Sequence, residues 1–283
     1  MTLIQARPRV LNAGDAAAVR ALVDDDLIAN CVLDSRLRLV PDLEPRRYGG
    51  ELWGVDGEHE SLRAAAFHGG TLIPLGSDLA ALELISSQLA RTGRGCSSIV
   101  GPAEAVETMW SVLSRKWGPA RAVRHRQPLL CTRTLPLHEP DPAVRPVRPR
   151  ELDAFLPAAV AMFSEELEVS PVGRDAGRGY RNRLAELISA SRAFARFDED
   201  GRVVFKAEIG ALSPATAQVQ GVWVRPELRG QGIGTAGMAA VTRLALHRAP
   251  TVSLYVNDYN LAGRAMYERL GFGQVGTLRT VLF

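Results

Sequence analysis

The sequence predicts an α+β protein with a mostly antiparallel sheet, divided into two halves of similar size. Three observations carry that reading. Asp200-Gly201 lies between two strand-forming runs over 193–212, the turn chemistry of a β-hairpin. A glycine-rich loop over 230–237 separates the next strand from an apolar helix. The segments "SSIVGPAEAVETMWSVLSRKWG" and "SLYVNDYNLAGRAMYERLGFG" lie side by side as strand, turn and helix, with Met109-Trp110 where Met266-Tyr267 stands. An old internal duplication accounts for the match; two unrelated α+β halves are the alternative.

In chain order, the first half reads as a helix over 15–33 and strands near 51–55, 62–68 and 71–75. A helix near 78–91, strand 96–101, helix 102–116 and strand 127–134 follow. The segment 136–150, "PLHEPDPAVRPVRPR", carries five prolines and reads as an extended linker. The expected division is therefore 1–135, a linker over 136–150, and a second domain over 145–283. That second half opens with a helix over 151–169, in which Pro157 predicts a kink or interruption. A helix over 174–192 comes next, then the 193–212 hairpin and a strand over 216–224. A helix over 232–248, strand 251–256, a helix over 260–271 stopped by Gly271, and a last strand over 273–283 complete it.

Composition narrows the function classes. In 283 residues, 46% hydrophobic and 23% charged residues describe a soluble globular chain of one large domain or two ordinary ones. No apolar run approaches about 18 residues, so a membrane partner is not expected. The opening "MTLIQARPRVLNAGD" has no signal-peptide pattern, which makes the cytoplasm the expected location. Cys31, Cys96 and Cys131 match neither a metal pair nor a disulfide framework and read as small thiols in or near the core. His59, His68, His125, His138 and His247 show no ligand spacing, so no metal is expected. A net charge of +3 spread over scattered arginines argues against a nucleic-acid partner.

The glycine loop admits two readings. Gly232-Ile-Gly234-Thr-Ala-Gly237 is a literal G-x-G-x-x-G with Asp258 some way downstream, as a dinucleotide site would have. Against that, "RPELRGQ" separates Val224 from Gly232, and the strands before the loop form a hairpin rather than βαβ units. Read from Arg229, the same stretch is R-x-x-G-x-G. The first turn of a helix leaves backbone N–H groups unpaired and carries partial positive charge, so this loop suits a pyrophosphate. No Lys-Ser/Thr follows the glycines, which excludes a Walker loop.

This order of elements, with R-x-x-G-x-G between the fourth strand and third helix, resembles the GCN5-related N-acetyltransferases (GNAT). "VNDYNLAGRAMYERLGF" over 256–272 is similar to the family's second signature, with Asn260, Tyr267, Gly271 and Phe272 on the pattern and Gly263 where Ala is usual. The resemblance covers about 145–283. It implies the GNAT fold, an α/β/α sandwich whose mixed, mostly antiparallel sheet is flanked by helices. The first half resembles a degenerate copy, and the whole resembles two-part actinobacterial members whose N-terminal domain has no assigned function.

The resemblance further implies acetyl-CoA, or another acyl-CoA, as donor and a primary amine on a small molecule or a protein as acceptor. The loop amides of Arg229, Gly230, Gln231, Gly232, Ile233, Gly234 and Thr235 would hold the pyrophosphate. Strand residues Val222, Trp223 and Val224 would pair with the pantetheine arm, with the Val224 amide facing the thioester carbonyl; Asn257 and Asn260 would complete the donor site. Tyr267 is the expected general acid to the departing thiolate. Glu208 is the first candidate base, with Glu165, Glu166 and Glu168 as others; each alone reads more readily as a plain surface carboxylate. Trp110, at the position matching Tyr267, has no such proton to give, which leaves the first half to shape the acceptor site or a dimer. A monomer or homodimer is expected. A non-catalytic acyl-CoA-binding module is the alternative, and an NAD(P)-dependent oxidoreductase the third reading.

Overall fold

The computed structural model describes residues 7–172 and 177–283. The chain forms two compact units: one of residues 1–129, 255–259 and 274–283, the other of 130–254 and 260–273.

The first unit opens with strand β1 (Arg9–Val10). The single helix expected over 15–33 is two, α1 (Ala16–Asp24) and α2 (Cys31–Leu39). The acidic run ending at Asp26 breaks it: the Asp26 carboxylate accepts from the N–H groups of Ile28 and Ala29, a local turn that competes with helix. Asn30 then donates to the Leu22 and Val23 carbonyls at the end of α1. A short helix α3 (Pro45–Tyr48) precedes strands β2 (Gly50–Asp56), β3 (Leu62–Gly69) and β4 (Leu72–Leu75), which run antiparallel in sequence. Helix α4 (Leu79–Thr92), capped by Asp78 on Ala81 N–H, carries the chain to β5 (Ser98–Pro102), parallel to β4. Helix α5 (Ala103–Trp117) and strand β6 (Ala122–Thr132) follow. One core packs α4 and α5 on the sheet through Leu82, Ile85, Met109 and Leu113; a second packs α1 and α2 on it through Val19, Val23, Leu33 and Leu37. That is the expected three-layer sandwich.

The second unit repeats the order. Strand β7 (Arg145–Pro146) pairs with β8 (Ala193–Phe197), so the proline-rich segment over 136–150 ends as a sheet edge, with Val144 and Val147 buried. Helix α6 (Leu152–Leu167) runs through Pro157 unbroken. Helix α7 is Arg178–Ser189; residues 174–176 of the expected helix lie outside the described residues. Strands β8, β9 (Val203–Leu212) and β10 (Ala217–Val224) are antiparallel, with the predicted turn at Gly201 in the left-handed region (φ +77°). Helix α8 (Ile233–Leu246) leads to β11 (Val252–Tyr255), parallel to β10, and α9 (Leu261–Arg269) follows. Phe155, Leu184, Ile188 and Trp223 build the core between α6, α7 and the sheet.

The last strand, β12 (Gly273–Leu282), pairs antiparallel with β5 from Leu278↔Pro102 to Leu282↔Ser98. The C-terminal strand thus belongs to the first unit, and the unit boundary falls within β6 rather than in the proline-rich segment.

Candidate active site

The glycines of the loop divide by cause. Gly230 and Gly232 sit at φ +78° and +80°, and an added Cβ would meet nothing within 4 Å at either. Their requirement is conformational, since L side chains rarely take that backbone. Gly237 is different: its Cβ would fall 2.7–2.8 Å from the Phe205 ring, so α8 lies directly on β9 there. At Gly234 a Cβ would stand 3.4 Å from both Met266 Sδ and Val224 Cγ2, ordinary contact. The same measurement puts the first turn of α8, the end of β10 and α9 side by side.

Gly230, Gln231 and Gly232 are exposed, and Thr235 is buried at the start of α8. Among the described residues no side chain caps that helix. Its first N–H groups therefore face outward from a loop of left-handed glycines, an arrangement that fits an anion.

The strand leading to the loop is irregular where a donor would lie. β10 pairs with β11 at Ala217↔Val252 and Gln218↔Ser253, and among the described residues no register continues past Gln218 on that side. On the other side the register runs Gln220↔Glu208 and then Trp223↔Lys206, so Gly221 and Val222 together face Ala207 alone. This is a β-bulge, with Gly221 at φ +60°. Arg225 N–H donates to Val204 O at 3.0 Å, so by ladder alternation Val224 turns its N–H and C=O to the open edge. The Val224 carbonyl there accepts from Arg229 Nε at 3.0 Å.

The Arg229 guanidinium also donates Nη2 to Glu165 Oε2 at 2.6 Å. The other oxygen of Glu165 accepts from Trp223 Nε1 at 3.1 Å. Glu165, at the end of α6, thus ties β10 to the glycine loop.

Glu208, the first candidate base, differs from a solvent-facing carboxylate. Its side chain is 4% exposed, lies 2.7 Å from the fully buried Lys206 ammonium and accepts from Gln220 Nε2 at 3.3 Å. Glu165, Glu166 and Glu168 are exposed at the end of α6. Tyr267 is the one buried residue of α9, edge-on to Phe272 with ring centroids 5.8 Å apart. Burial pushes its phenol above the ordinary tyrosine value, and the negative charge of Glu166 pushes the same way. The Asn260 side chain caps α9, accepting from Gly263 N–H at 2.9 Å. A Cβ at Gly263 would approach the Asn260 amide to 2.8–3.0 Å, so alanine there would need that side chain to shift. Asn257 lies in the first unit, its carbonyl oxygen accepting from Gln127 Nε2 at 3.0 Å.

The sequence reading missed Lys206. Its signal was present: one of two lysines in the chain, inside the apolar run of β9, with a glutamate two residues on and hence on the same face. Among the described residues no three His, Cys, Asp or Glu side chains gather as a metal site, and no helix is long and apolar enough to cross a membrane.

Residues 160–272 match the acetyltransferase (GNAT) family, and residues 50–155 match a domain of unknown function, DUF4081. A mycothiol acetyltransferase from Kocuria rhizophila is 46% identical over 61 residues, 21% of this chain and 20% of that one. A mycothiol acetyltransferase from Tsukamurella paurometabola is 28% identical over 252 residues, 78% of this chain and 84% of that one. The structure of a GNAT-family acetyltransferase from Colwellia psychrerythraea superposes with a TM-score of 0.60 at 14% identity, covering 98% and 99% of the two chains. The chain carries a GNAT-family acetyltransferase domain behind an N-terminal DUF4081 region.

Proposed function

We propose that the protein moves an acetyl group from acetyl-CoA to a primary amine by direct attack. One observation carries this: the open edge of β10 beyond Gln218 runs past a bulge into the uncapped N-terminus of α8, all in one unit. An extended pantetheine arm can add to that edge as a strand would, and the loop amides can take the pyrophosphate.

Bound acetyl-CoA supplies an activated thioester. The outward amides of the β10 edge, Val224 and the bulge peptide before it, stabilise the negative charge that grows on the carbonyl oxygen as the amine nitrogen bonds to the carbonyl carbon. As the C–S bond breaks, the sulfur keeps the electron pair and the Tyr267 phenol gives it a proton. An alkylamine arrives protonated at neutral pH, and that first proton must go to a base before attack, while the second nitrogen proton, lost as the amide forms, restores the Tyr267 phenol. The buried pair with Lys206 makes Glu208 a poor choice. Glu166 is exposed, and its charge acts on Tyr267, so we assign it the proton. Asn260, as the cap of α9, acts on the donor through the position of Tyr267. The proline-rich segment and the first unit are read as support for this unit rather than as a second catalytic centre, since Trp110 has no acid to offer.

The relatives' shared name makes mycothiol chemistry the first acceptor class to test. The test is heat unfolding with acetyl-CoA, longer acyl-CoAs, free CoA and NAD(P)H, then thiol release on adding amines. A ligand at a hundred times its Kd adds roughly 2.7 kcal/mol. Stabilisation by acetyl-CoA with amine-dependent thiol release supports the reading. Stabilisation without turnover of any amine favours a binding module, and stabilisation by NAD(P)H alone overturns the donor assignment.

A further inference from the structure

We propose that Lys206 is a positioning residue for acetyl transfer, setting the peptide plane between Gly221 and Val222 so that the Val222 N–H faces the thioester carbonyl. The inference rests on the donor-site reading above. The Lys206 side chain is fully buried. Its ammonium donates to Gly221 O at 3.0 Å, lies 2.7 Å from Glu208 Oε1 and sits 5.4 Å from the centre of the Phe155 ring. A buried ion pair is a weak source of stability, because desolvation offsets the attraction. Its effect here is directional.

The C=O and N–H of a trans peptide point in opposite directions. A Gly221 carbonyl held by Lys206 therefore turns the Val222 N–H away from that lysine. Where β10 keeps one-to-one register with β9, as at Val219–Gln220 and Trp223–Val224, the ladder fixes the peptide planes. At the bulge it does not, because Gly221 and Val222 share one opposing residue. Gly221, in the left-handed region, is also the residue best able to let the plane flip. Lys206 supplies the constraint the ladder lacks. Glu208 anchors the ammonium and Gln220 holds Glu208. A Cβ at Gly221 would fall 3.0 Å from Nζ and 3.1 Å from Met162 Cε, so the site is built closely around a glycine.

The experiment compares Kd values for acetyl-CoA and for S-ethyl-CoA, a thioether without the carbonyl, by calorimetry. The proteins are wild type, Lys206→Met, and the double variant Lys206→Met/Glu208→Gln, which removes both charges and protects against a fold loss caused by an unpaired glutamate. Wild type is expected to prefer acetyl-CoA about tenfold, the scale of one hydrogen bond. Both variants are expected to lose that preference while holding S-ethyl-CoA within about threefold of wild type, a split that mere destabilisation would not produce. Retention of the preference in either folded variant overturns the proposal, as does wild type binding both ligands equally. Wild type binding neither ligand overturns the donor-site reading, and the proposal with it.

Discussion

Glu165 and Arg229, sixty-four positions apart, meet at 2.6 Å across the open end of β10. Both are about half exposed, with side chains 43% and 48% accessible, so their pairing contributes under about 1 kcal/mol to stability. Its consequence lies in binding. Arg229 opens the glycine loop, and a pyrophosphate on that loop competes with Glu165 for the same guanidinium. Glu165→Gln is expected to lower the Kd for CoA a few-fold at low salt, an advantage that shrinks as salt screens both partners. Unchanged or weaker CoA binding by calorimetry would show that Glu165 orders Arg229 rather than competing for it.

The glycines make separable predictions. Gly237→Ala drives a methyl into the Phe205 ring in a packed layer and is expected to cost about 1–3 kcal/mol in urea unfolding. Gly232→Ala meets no atom, and only the left-handed backbone resists it, at about 1 kcal/mol. Its larger effect is expected on CoA affinity, because relaxing the loop turns amides away from the ligand. If Gly237→Ala weakened CoA binding more than Gly232→Ala did, the division of roles would be wrong.

What the sequence disclosed follows from how locally each feature is encoded. The loop was legible because left-handed backbone and a helix start both select glycine within a few residues. The placement of Tyr267 on α9 was legible because its spacing from Asn260 is that of one short helix. The bulge was not, since Gly221 is one glycine among several until the register with β9 shows which residues lack a partner. The burial of Glu208 was hidden for the same reason: a carboxylate on a strand reads as exposed unless the neighbouring Lys206 is seen to be buried with it. The break between α1 and α2 was local, and the Asp26 turn chemistry was present in the acidic run.

The Arg145–Glu151 pair gives an acid-stability prediction. Two hydrogen bonds of 2.8 Å from the Arg145 guanidinium, and one from Arg148 N–H, hold the Glu151 carboxyl down at about 2. A carboxyl whose folded value is depressed contributes stability above its unfolded value, near 4.5, and loses it as pH falls towards 2. Glu151→Gln is therefore expected to lower the unfolding midpoint in urea at pH 7 and to bring the variant and wild type together near pH 2. A constant gap between them across that window would place the effect in packing instead of charge.

Tyr267 carries the most direct prediction about chemistry. Tyr267→Phe keeps the ring packed edge-on to Phe272 and removes only the phenol, so stability and the KM for acetyl-CoA are expected to change little. Loss of the proton donor is expected to lower kcat by about a hundredfold or more. The pH profile gives an independent check. Burial, aided by Glu166, raises the phenol above its ordinary value near 10, so the protonated and active form persists to higher pH. The alkaline limb of wild-type kcat should then lie above pH 10, and in Tyr267→Phe that limb should vanish. An alkaline limb near pH 8 or 9 that survives in the variant would belong to another group, and Tyr267 would revert to a core residue of α9.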